Sequence, residues 1–413
     1  MLSSALERVE VRSIAIIGGG PAGSMTAERL LRAGISRNRR KRDWHVMVFE
    51  ERRGWEKPCG GGLPAKALVR YPFLLEASEP HTVIREAEFI AGGGEAVRFN
   101  LRMPIVIYSR SVLNNLLLQR AESSGAQIIA DHIRSFCRDG RRWKLQGRNH
   151  AYPADFLVLA GGARSPLRSF LAPRFQSGDF MLTYGYYVPA SDSLLRIQFF
   201  ANFEGYAWAF PRTDHLSVGI CGNLNENGMA ALRERLHSFM KNFGYSAEAA
   251  PVFSHLLPAL GSEGWNKLEL SGEGWAMSGD AGGLVDPLTG EGIYFAMRSG
   301  ELLAESLLDD TPQSYPARIW REFGRRLAMG ARLAPRFYHG DFLGRPSTTR
   351  LVEFCSRSPA FMNLLQELLE GKQSYTNLPR RAYQTFAKGA FQMVVGAASR
   401  KLLALNDLMR ARA

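Results

Sequence analysis

SIAIIGGGPAGS, residues 13–24, combines the pattern of a buried strand with a glycine-rich turn and the start of a helix. The apolar run at 14–17 is continuous, as expected of a parallel strand that is covered on both faces. Gly18, Gly20 and Gly23 follow in the Gly-x-Gly-x-x-Gly spacing, and the next residues have the apolar spacing of a helix. This unit predicts a dinucleotide-binding α/β domain, in which free N–H groups at the start of the helix hold a pyrophosphate.

A second strand, residues 45–49, ends at Glu50, which is placed to bind the ribose hydroxyls of an adenosine. Its separation from the glycines exceeds the usual gap of about 20 residues. A basic loop inserted at 36–43 accounts for the excess. These features leave both NAD and FAD open as the ligand.

Composition excludes several classes of protein. The chain has 413 residues, of which 46% are hydrophobic and 22% charged, so it is globular, with two or three structural units. No apolar run approaches the ~18 residues needed to span a bilayer. The four cysteines are widely spaced and the N-terminus has no secretory pattern, so we expect no metal site, no disulfide framework and a cytoplasmic location.

The positive charge of the chain is concentrated near its end. Residues 321–413 contain sixteen Lys or Arg against six Asp or Glu, which gives +10 of the net +13. Such asymmetry indicates an anionic partner, and because no nucleic-acid motif accompanies it we expect peripheral membrane contact through the basic C-terminus and no nucleic acid. A solvated basic face is the alternative interpretation.

A further glycine-rich segment at residues 60–62 is followed by predicted strands and a helix. Gly60, Gly61 and Gly62 follow Cys59, and three glycines in succession indicate a close approach of the backbone to something flat or bulky. Residues 71–104 have the pattern of strands joined by glycine turns, a helix is predicted from Arg110, and a strand is predicted at 126–133.

A buried strand at 156–160 leads into Gly161 and Gly162, with Arg164 and Arg168 shortly after. This arrangement places small residues and cations at the carboxyl end of a strand, where α/β sheets bind ligands.

Residues 180–220 again have the pattern of strands, and they are rich in aromatic side chains. These residues could form an apolar wall for a flat or greasy ligand, although for most of them an ordinary core position is the favoured interpretation. They are Tyr184, Tyr186, Tyr187, Phe199, Phe200, Phe203, Tyr206, Trp208 and Phe210.

A second ligand-binding turn is predicted between residues 273 and 308. A strand at 275–278 ends at Asp280, and Gly290 and Gly292 lead into a long helix that begins at Ile293. The N-terminus of this helix is therefore directed at the same crevice, where its dipole stabilises negative charge. Asp280 can accept hydrogen bonds from a sugar-like chain.

The segments GGGPAGS, LAGGARSPLR and SGDAGGLVDPLTGEGI resemble, in order and separation, the three FAD-binding motifs of the flavoprotein monooxygenase and reductase superfamily. More narrowly, KPCGGGL, GYAWAFP and DPLTGEGIYFAMRSG resemble the geranylgeranyl reductase family, whose members use FAD to reduce isolated double bonds of polyprenyl chains. The resemblance covers residues 13–308.

The resemblance implies an α/β fold with a discontinuous Rossmann-like FAD-binding domain of the aromatic-hydroxylase/geranylgeranyl reductase type. The expected domains are a FAD-binding domain (1–70, 105–170 and 275–310), an inserted antiparallel-sheet substrate domain (71–104 and 171–274) and a helical basic C-terminal region (311–413).

The resemblance also implies roles for single residues. Tyr206, Trp208 and Phe210 would face the isoprenoid, and Cys59 and Tyr206 are the candidate proton donors, with a bound water as the alternative. The cofactor-binding residues would be Gly18, Gly20, Pro21, Ala22, Gly23, Glu50, Cys59, Gly60, Arg110, Gly161, Gly162, Asp280, Pro287, Gly290, Gly292 and Ile293.

The middle motif departs from the family pattern, because Gly161 stands where relatives have an aspartate. There is also no second glycine fingerprint for a nicotinamide cofactor, so the electron donor is either transiently bound NAD(P)H or a ferredoxin-like or quinol donor.

The sequence thus predicts an FAD-dependent oxidoreductase that reduces C=C bonds of an isoprenoid by hydride transfer from reduced flavin. The alternatives are an FAD-dependent monooxygenase or halogenase acting on an apolar or aromatic substrate, and a flavin-carrying membrane adaptor without activity.

Overall fold

The computed structural model describes residues 12–33, 44–226 and 228–386. The strands are β1 (Ser13–Ile17), β2 (His45–Phe49), β3 (Gly62–Leu63), β4 (Thr82–Ile90), β5 (Ala96–Ile107), β6 (Gln127–Ile129), β7 (Ser135–Asp139), β8 (Arg142–Gln146), β9 (Ala151–Ala154), β10 (Phe156–Leu159), β11 (Phe180–Val188), β12 (Leu194–Phe199), β13 (Gly205–Pro211), β14 (Leu216–Asn223), β15 (Val252–Pro258), β16 (Ser271–Gly272), β17 (Trp275–Met277), β18 (Asp341–Phe342) and β19 (Arg345–Pro346). The helices are α1 (Pro21–Ala33), α2 (Ala65–Arg70), α3 (Phe73–Glu76), α4 (Arg110–Ser123), α5 (Met229–Asn242), α6 (Ser262–Asn266), α7 (Ile293–Leu308), α8 (Tyr315–Ile319), α9 (Arg325–Tyr338), α10 (Ser347–Arg357) and α11 (Pro359–Leu369).

A six-stranded sheet forms the first layer, in the order β16-β17-β10-β1-β2-β6. Strand β1 is central and pairs in parallel with β2 and β10, while β16 alone runs antiparallel, as a short hairpin with β17. The alternation of side chains along β1 explains its unbroken apolar sequence. Ile14 and Ile16 belong to the core under helices α1 and α7, whereas Ala15 and Ile17 pack with the three-stranded sheet β7-β8-β9 on the other face.

Helices α1 and α7 cross at very close range. A Cβ atom on Gly300 of α7 would lie 2.3 Å from the carbonyl oxygen of Ala22, so only glycine allows this approach. Helix α1 begins at Pro21, the position at which proline's missing N–H costs nothing. The crossing fixes the start of both helices relative to the carboxyl ends of β1 and β10.

An eight-stranded sheet forms the second layer, in the order β15-β11-β14-β13-β12-β4-β5-β3. One face is covered by α5, whose buried residues pack on β11, β13 and β14. The other face carries the core that includes Phe89, Phe99 and Phe199, and helices α9, α10 and α11 contribute Tyr338, Val352 and Leu365 to it. The C-terminal region is thus a wall packed on the second sheet.

The structure differs from the sequence predictions at several elements. The strand expected at 126–133 is only three residues long, because the chain leaves the sheet edge after Ile129. Residues 71–104 contain the short helix α3 besides the predicted strands. The second sheet contains one parallel pair, β4 with β12, and its other described pairs are antiparallel.

The expected domain boundaries stay a prediction. Two short strands lie on the opposite side of a boundary from the other strands of their sheet. Strand β3 belongs to the second sheet although it precedes residue 71, and β16 belongs to the first sheet although it precedes residue 275. The basic loop at 36–43 and the terminal segment 387–413 lie outside the described residues.

Candidate functional site

A cavity of about 1460 Å³ extends from the carboxyl ends of β1, β2 and β10 along the inner face of the second sheet. Pockets that hold a single drug-sized ligand measure roughly 300–1,000 Å³. The cavity therefore has room for a dinucleotide and a second molecule.

The first glycine turn forms one end of the cavity, and each glycine meets a different constraint. Gly18 has φ +108°, and a Cβ atom there would lie 2.5 Å from the carbonyl oxygen of Ala160. A Cβ atom on Gly23 would lie 2.0 Å from the carbonyl oxygen of Gly18, so this glycine permits the strand–helix contact. A Cβ atom on Gly20 would meet nothing within 4 Å, which leaves open space beside the first turn of α1. That space is where a pyrophosphate fits.

Glu50 follows β2 and reaches back to this turn. Its Oε2 accepts the Gly19 N–H at 2.9 Å, and its Oε1 accepts the Arg52 N–H at 3.0 Å. The carboxylate lines the cavity next to the glycines, and its role in binding a ribose stays a prediction.

Asp280 follows β17 with its side chain 10% exposed, and it forms an ion pair with Lys57, whose Nζ lies 2.5 Å from Oδ2. Burial raises the pKa of the Asp280 carboxyl, but Lys57 outweighs burial, so its pKa lies below the usual value. Nearby, burial followed by the charge of Lys57 lowers the pKa of His255 to about 4. At neutral pH the site therefore presents an ionised Asp280 carboxylate beside Lys57 and a neutral His255 imidazole.

The triple-glycine segment packs on an aromatic ring, as the sequence predicted. A Cβ atom on Gly60 would lie 2.5 Å from the Phe210 ring, and Gly61 has φ +81° with no room for a Cβ beside the Tyr108 carbonyl. The Cys59 carbonyl accepts hydrogen bonds from Arg212 at 2.6 Å and from Ser217 at 3.2 Å. Strands β13 and β14 thereby hold Cys59 at the cavity wall.

Glu56 joins this segment to helix α4. Its two carboxylate oxygens accept the N–H groups of Arg110 and Ser111 at 2.9 Å, and Oε1 also accepts from Arg212 at 2.5 Å. Burial raises the pKa of Glu56, but Arg212 and the backbone donors outweigh burial and hold it below 4.5. This clamp connects the two layers beside the cavity.

Arg110 lies at the first turn of α4 and lines the cavity. Its side chain is 4% exposed, and its Nε is buried with no acceptor among the described residues. A buried guanidinium with an unused donor is suited to an anionic ligand. Arg168, in contrast, is held by the carbonyls of Ala281 and Pro173 and is part of the structural core.

The predicted aromatic wall divides between the two faces of the second sheet. Tyr206, Trp208 and Phe210 alternate along β13 and line the cavity, together with Phe199. Tyr184 and Phe203 lie in the core with α5 on the opposite face.

Most of the predicted cofactor residues lie along one continuous surface. Those that line the cavity are Gly18, Gly20, Pro21, Ala22, Glu50, Cys59, Gly60, Arg110, Gly161, Gly162, Asp280, Gly290, Gly292 and Ile293. Gly23 lies behind the first turn, and Pro287 packs on helix α9 beside Gly330. Their individual roles stay predictions.

Gly161, the departure from the family pattern, leaves little room for a side chain. A Cβ atom there would lie 3.3 Å from the Ser165 hydroxyl and 3.7 Å from the Ile17 carbonyl. An aspartate at this position would require the Ser165 hydroxyl to shift by a few tenths of an ångström.

The sequence did not predict that the C-terminal helices would form the far half of the cavity. Their apolar side chains line it opposite β12 and β13, and they are Phe337, Leu351, Phe354, Phe361, Leu364, Leu365, Leu368, Leu369, Leu378 and Phe386. The apolar spacing of α10 and α11 was the available signal, but it does not say what their apolar faces cover. Lys57 was also missed as a site residue, although it opens the KPCGGGL segment, and so was His255, which belongs to no motif.

The residues present fit FAD. The open space at Gly20 suits the pyrophosphate, and the buried Arg110 donor suits an anion. The first turn of α7 has no side-chain cap, so its N–H groups can face a ligand that carries negative charge.

Comparison with known proteins agrees with this geometry. The FAD binding domain family matches residues 11–185. This match, together with the relatives below, supports an FAD-dependent oxidoreductase. A geranylgeranyl diphosphate reductase of Synechocystis sp. is 26% identical over 72% of this flavoprotein and 75% of its own length. A menaquinone reductase of Mycobacterium tuberculosis is 29% identical over 85% of this flavoprotein and 89% of its own length.

Solved structures confirm the fold. A geranylgeranyl bacteriochlorophyll reductase-like protein from Thermoplasma acidophilum matches with a TM-score of 0.73, 18% identity and coverage of 90% of this flavoprotein and 99% of that chain. A flavin-dependent brominase matches with a TM-score of 0.67, 16% identity and coverage of 91% and 99%. The resemblance to the geranylgeranyl reductase family, first seen in the motifs, is confirmed.

In residues 12–33, 44–226 and 228–386 of the flavoprotein, no helix combines the length and the apolar character needed to cross a bilayer.

Proposed function

We propose that this flavoprotein reduces carbon–carbon double bonds of an isoprenoid substrate. The observation that carries the proposal is the continuity of one cavity. The space next to the glycine turns and Asp280 opens directly into a chamber whose walls are aromatic residues of β13 and apolar residues of α10 and α11. A long hydrocarbon chain suits such walls.

The names of the relatives agree with this substrate class. One is a geranylgeranyl diphosphate reductase and another a menaquinone reductase. Geranylgeranyl groups and menaquinones both carry isoprenoid chains, although their head groups differ. The proposal therefore concerns the chain and leaves the head group open.

An isolated double bond has no carbonyl group to accept developing charge, so one carbon must gain a proton as the other gains a hydride. Reduced FAD supplies the hydride. The chain's own contribution is to exclude water, hold the alkene and deliver the proton. Phe210 and Trp208 line the cavity together with Cys59, and the Phe210 ring packs against Gly60.

Cys59 is the better candidate for the proton donor. Its sulfur accepts the Gly61 N–H at 3.3 Å, and its carbonyl is fixed by Arg212 and Ser217, so the thiol is held at the cavity wall. In this step the S–H proton passes to an alkene carbon, and the thiolate regains a proton from solvent.

Tyr206 is less suited to the same role. Its hydroxyl already donates to the Thr289 carbonyl at 2.5 Å. Burial raises the pKa of this phenol well above 10, which makes it a weak acid.

Replacing Cys59 by Ser or Ala tests this role. We expect both variants to bind FAD normally and to reduce the alkene about 100-fold more slowly or worse, the usual loss for an acid–base group. Cys137→Ser, at an exposed cysteine away from the cavity, is the matched control. Unchanged turnover in the Cys59 variants would remove the thiol from the mechanism.

The second candidate function is oxygenation or halogenation of an apolar or aromatic substrate, since a flavin-dependent brominase shares the fold. Oxygen consumption separates the two. Reduction of a double bond needs no oxygen, whereas an oxygenase or halogenase consumes oxygen in proportion to its product.

The electron donor is proposed to be NAD(P)H that binds transiently, with a ferredoxin-like or quinol donor as the alternative. Anaerobic bleaching of the bound flavin by each donor in turn distinguishes them.

We also propose that substrate enters from an anionic membrane at the far mouth of the cavity. Phe342 and Leu343, on the β18–β19 hairpin, are 42% and 60% exposed, and Tyr383 is 74% exposed. Within the described residues, Arg336 and Arg380 have no acidic partner, and Arg336 lines the mouth. Exposed apolar groups beside unpaired cations suit an anionic lipid surface. The basic segment 387–413, on which the sequence prediction of membrane contact partly rests, lies outside the described residues.

A further inference from the structure

The loop at 286–292, which leads into helix α7, is held by three tyrosine hydroxyls that we call the tyrosine cage: Tyr206, Tyr338 and Tyr375. They reach the loop from strand β13, from the end of helix α9 and from the turn after helix α11. The hydrogen bonds run from Tyr206 to the Thr289 carbonyl (2.5 Å), from Tyr338 to the Leu288 carbonyl (2.6 Å) and from Tyr375 to the Asp286 carboxylate (2.8 Å).

The hydroxyls of the tyrosine cage stay protonated and can therefore donate hydrogen bonds. Tyr338 and Tyr375 are 1% and 2% exposed. Burial raises the pKa of all three phenols well above 10, so they keep their protons over the whole physiological range. Tyr338 and Tyr375 can therefore hold their acceptors on the loop without competition from water, whereas Tyr206 donates from the cavity wall.

The loop uses most of its own N–H groups internally. The Asp286 carboxylate accepts the N–H groups of Leu288 at 3.0 Å and Thr289 at 3.4 Å, and the Asp286 carbonyl accepts that of Gly290 at 2.8 Å. The cage occupies the carbonyls of Leu288 and Thr289. With these groups engaged, the N–H groups left for a ligand are those at the uncapped first turn of α7, where Gly292 and Ile293 line the cavity.

We propose that the tyrosine cage consists of positioning residues that orient these N–H groups toward the bound FAD, so that the protein binds reduced FAD more tightly than it would without the cage. Reduction adds negative charge to the flavin ring, and preorganised donors stabilise that charge without reorganising. The proposal rests on the FAD site of the proposed function and does not depend on which substrate is reduced.

Tyr338→Phe is the most direct test, because Tyr338 lies behind the loop and does not line the cavity. The substitution removes one hydroxyl and leaves its acceptor on the loop unpaired. Such a loss is worth about 1 kcal/mol, or about fivefold. We expect the ratio of the dissociation constants of oxidised and reduced FAD to fall about fivefold, which lowers the two-electron reduction potential by about 20 mV.

Tyr108→Phe is the matched control. Tyr108 is fully buried and donates to the Leu74 carbonyl at 2.8 Å, and neither residue lines the cavity. It should lose a similar amount of stability and keep the wild-type potential. Tyr375→Phe should shift the potential in the same direction as Tyr338→Phe.

Two results would overturn the proposal: wild-type potentials in both cage variants, or equal shifts in the cage variants and Tyr108→Phe. A third result would also overturn it: if Tyr338→Phe and Tyr375→Phe fold but lose oxidised and reduced FAD alike while Tyr108→Phe retains both, the cage holds the cofactor without favouring its reduced form. If the Tyr338 variant does not fold, Tyr375→Phe alone decides. None of these measurements uses an alkene, so a failure of the proposed reaction, seen as a flavin-loaded enzyme without turnover, is a separate outcome.

Discussion

The glycines of the first turn illustrate how a single residue can serve either the fold or the ligand. Gly23 is needed for the fold, because a Cβ atom would lie 2.0 Å from a backbone oxygen. Gly20 faces open space, so its lack of a side chain serves the ligand. The motif alone predicts that both glycines are required. The structure shows that Gly23 is required for the strand–helix contact and that Gly20 leaves space for a ligand.

We therefore predict opposite outcomes for two substitutions. Gly20→Val should leave the melting temperature of the FAD-free protein nearly unchanged and weaken FAD binding at least about tenfold, because the side chain fills the phosphate space. Gly23→Ala should destabilise the protein by about 1–3 kcal/mol through overpacking. Thermal unfolding without FAD and titration with FAD measure the two effects. A Gly20 variant with wild-type affinity would place the pyrophosphate elsewhere.

At the residue scale the sequence predicted the backbone turns better than the polar contacts. Gly18, Gly20 and Glu50 follow a strand at fixed spacing, so local geometry determines where they lie. The Lys57–Asp280 pair joins residues 223 positions apart, and nothing local in the sequence specifies that contact.

At the scale of elements, the Glu56 clamp ties the start of helix α4 to Arg212 at the end of strand β13. The Arg212 side chain is 1% exposed, so removal of the Glu56 carboxylate would leave a buried cation without its ion-pair partner. We predict that Glu56→Gln destabilises the protein by about 2 kcal/mol, somewhat below the usual cost of breaking a fully buried pair because Glu56 is 27% exposed. Urea unfolding at pH 7 measures this loss.

The same clamp predicts a pH dependence. The folded-state pKa of Glu56 lies below 4.5, so its stabilising effect is present above pH 4.5 and is lost as the pH falls through the folded-state pKa. The stability difference between wild type and Glu56→Gln should therefore shrink below pH 4.5. Glu122→Gln, which breaks the exposed pair with Arg53, should cost little at any pH. Equal losses for Glu56 and Glu122 would contradict the clamp.

The elements themselves were largely predictable, but their packing was not. The apolar patterns predicted β1, α1, β2 and α7 closely, because periodicity is a local property. The same patterns did not predict that α9, α10 and α11 cover the second sheet, because an apolar face does not identify its partner. For this reason the sequence predicted an aromatic wall and missed the helical wall opposite.

At the scale of the whole molecule, the cavity connects the dinucleotide layer to the β18–β19 hairpin. If substrate enters from a membrane there, replacing both Phe342 and Leu343 by Ser should weaken binding to phosphatidylglycerol vesicles about tenfold, because two apolar side chains no longer leave water. Vesicle sedimentation at low and high salt measures the effect.

Phe170→Ser is the control. Phe170 is an exposed apolar residue as well, at 62%, but it lies beside the three-stranded sheet. It should leave vesicle binding unchanged. Binding that ignores lipid charge and the hairpin substitutions would show that the membrane does not dock at this mouth.

The central claim is that FAD and an isoprenoid chain occupy one continuous cavity in which hydride passes directly between them. Anaerobic mixing of the reduced, FAD-loaded protein with polyprenyl substrates tests it most directly, by flavin absorbance together with mass spectrometry of the lipid. We expect the flavin to be reoxidised without oxygen and a double bond to gain two hydrogen atoms. A flavin that stays reduced with every isoprenoid, yet reoxidises with product formation only when oxygen is admitted, would contradict it.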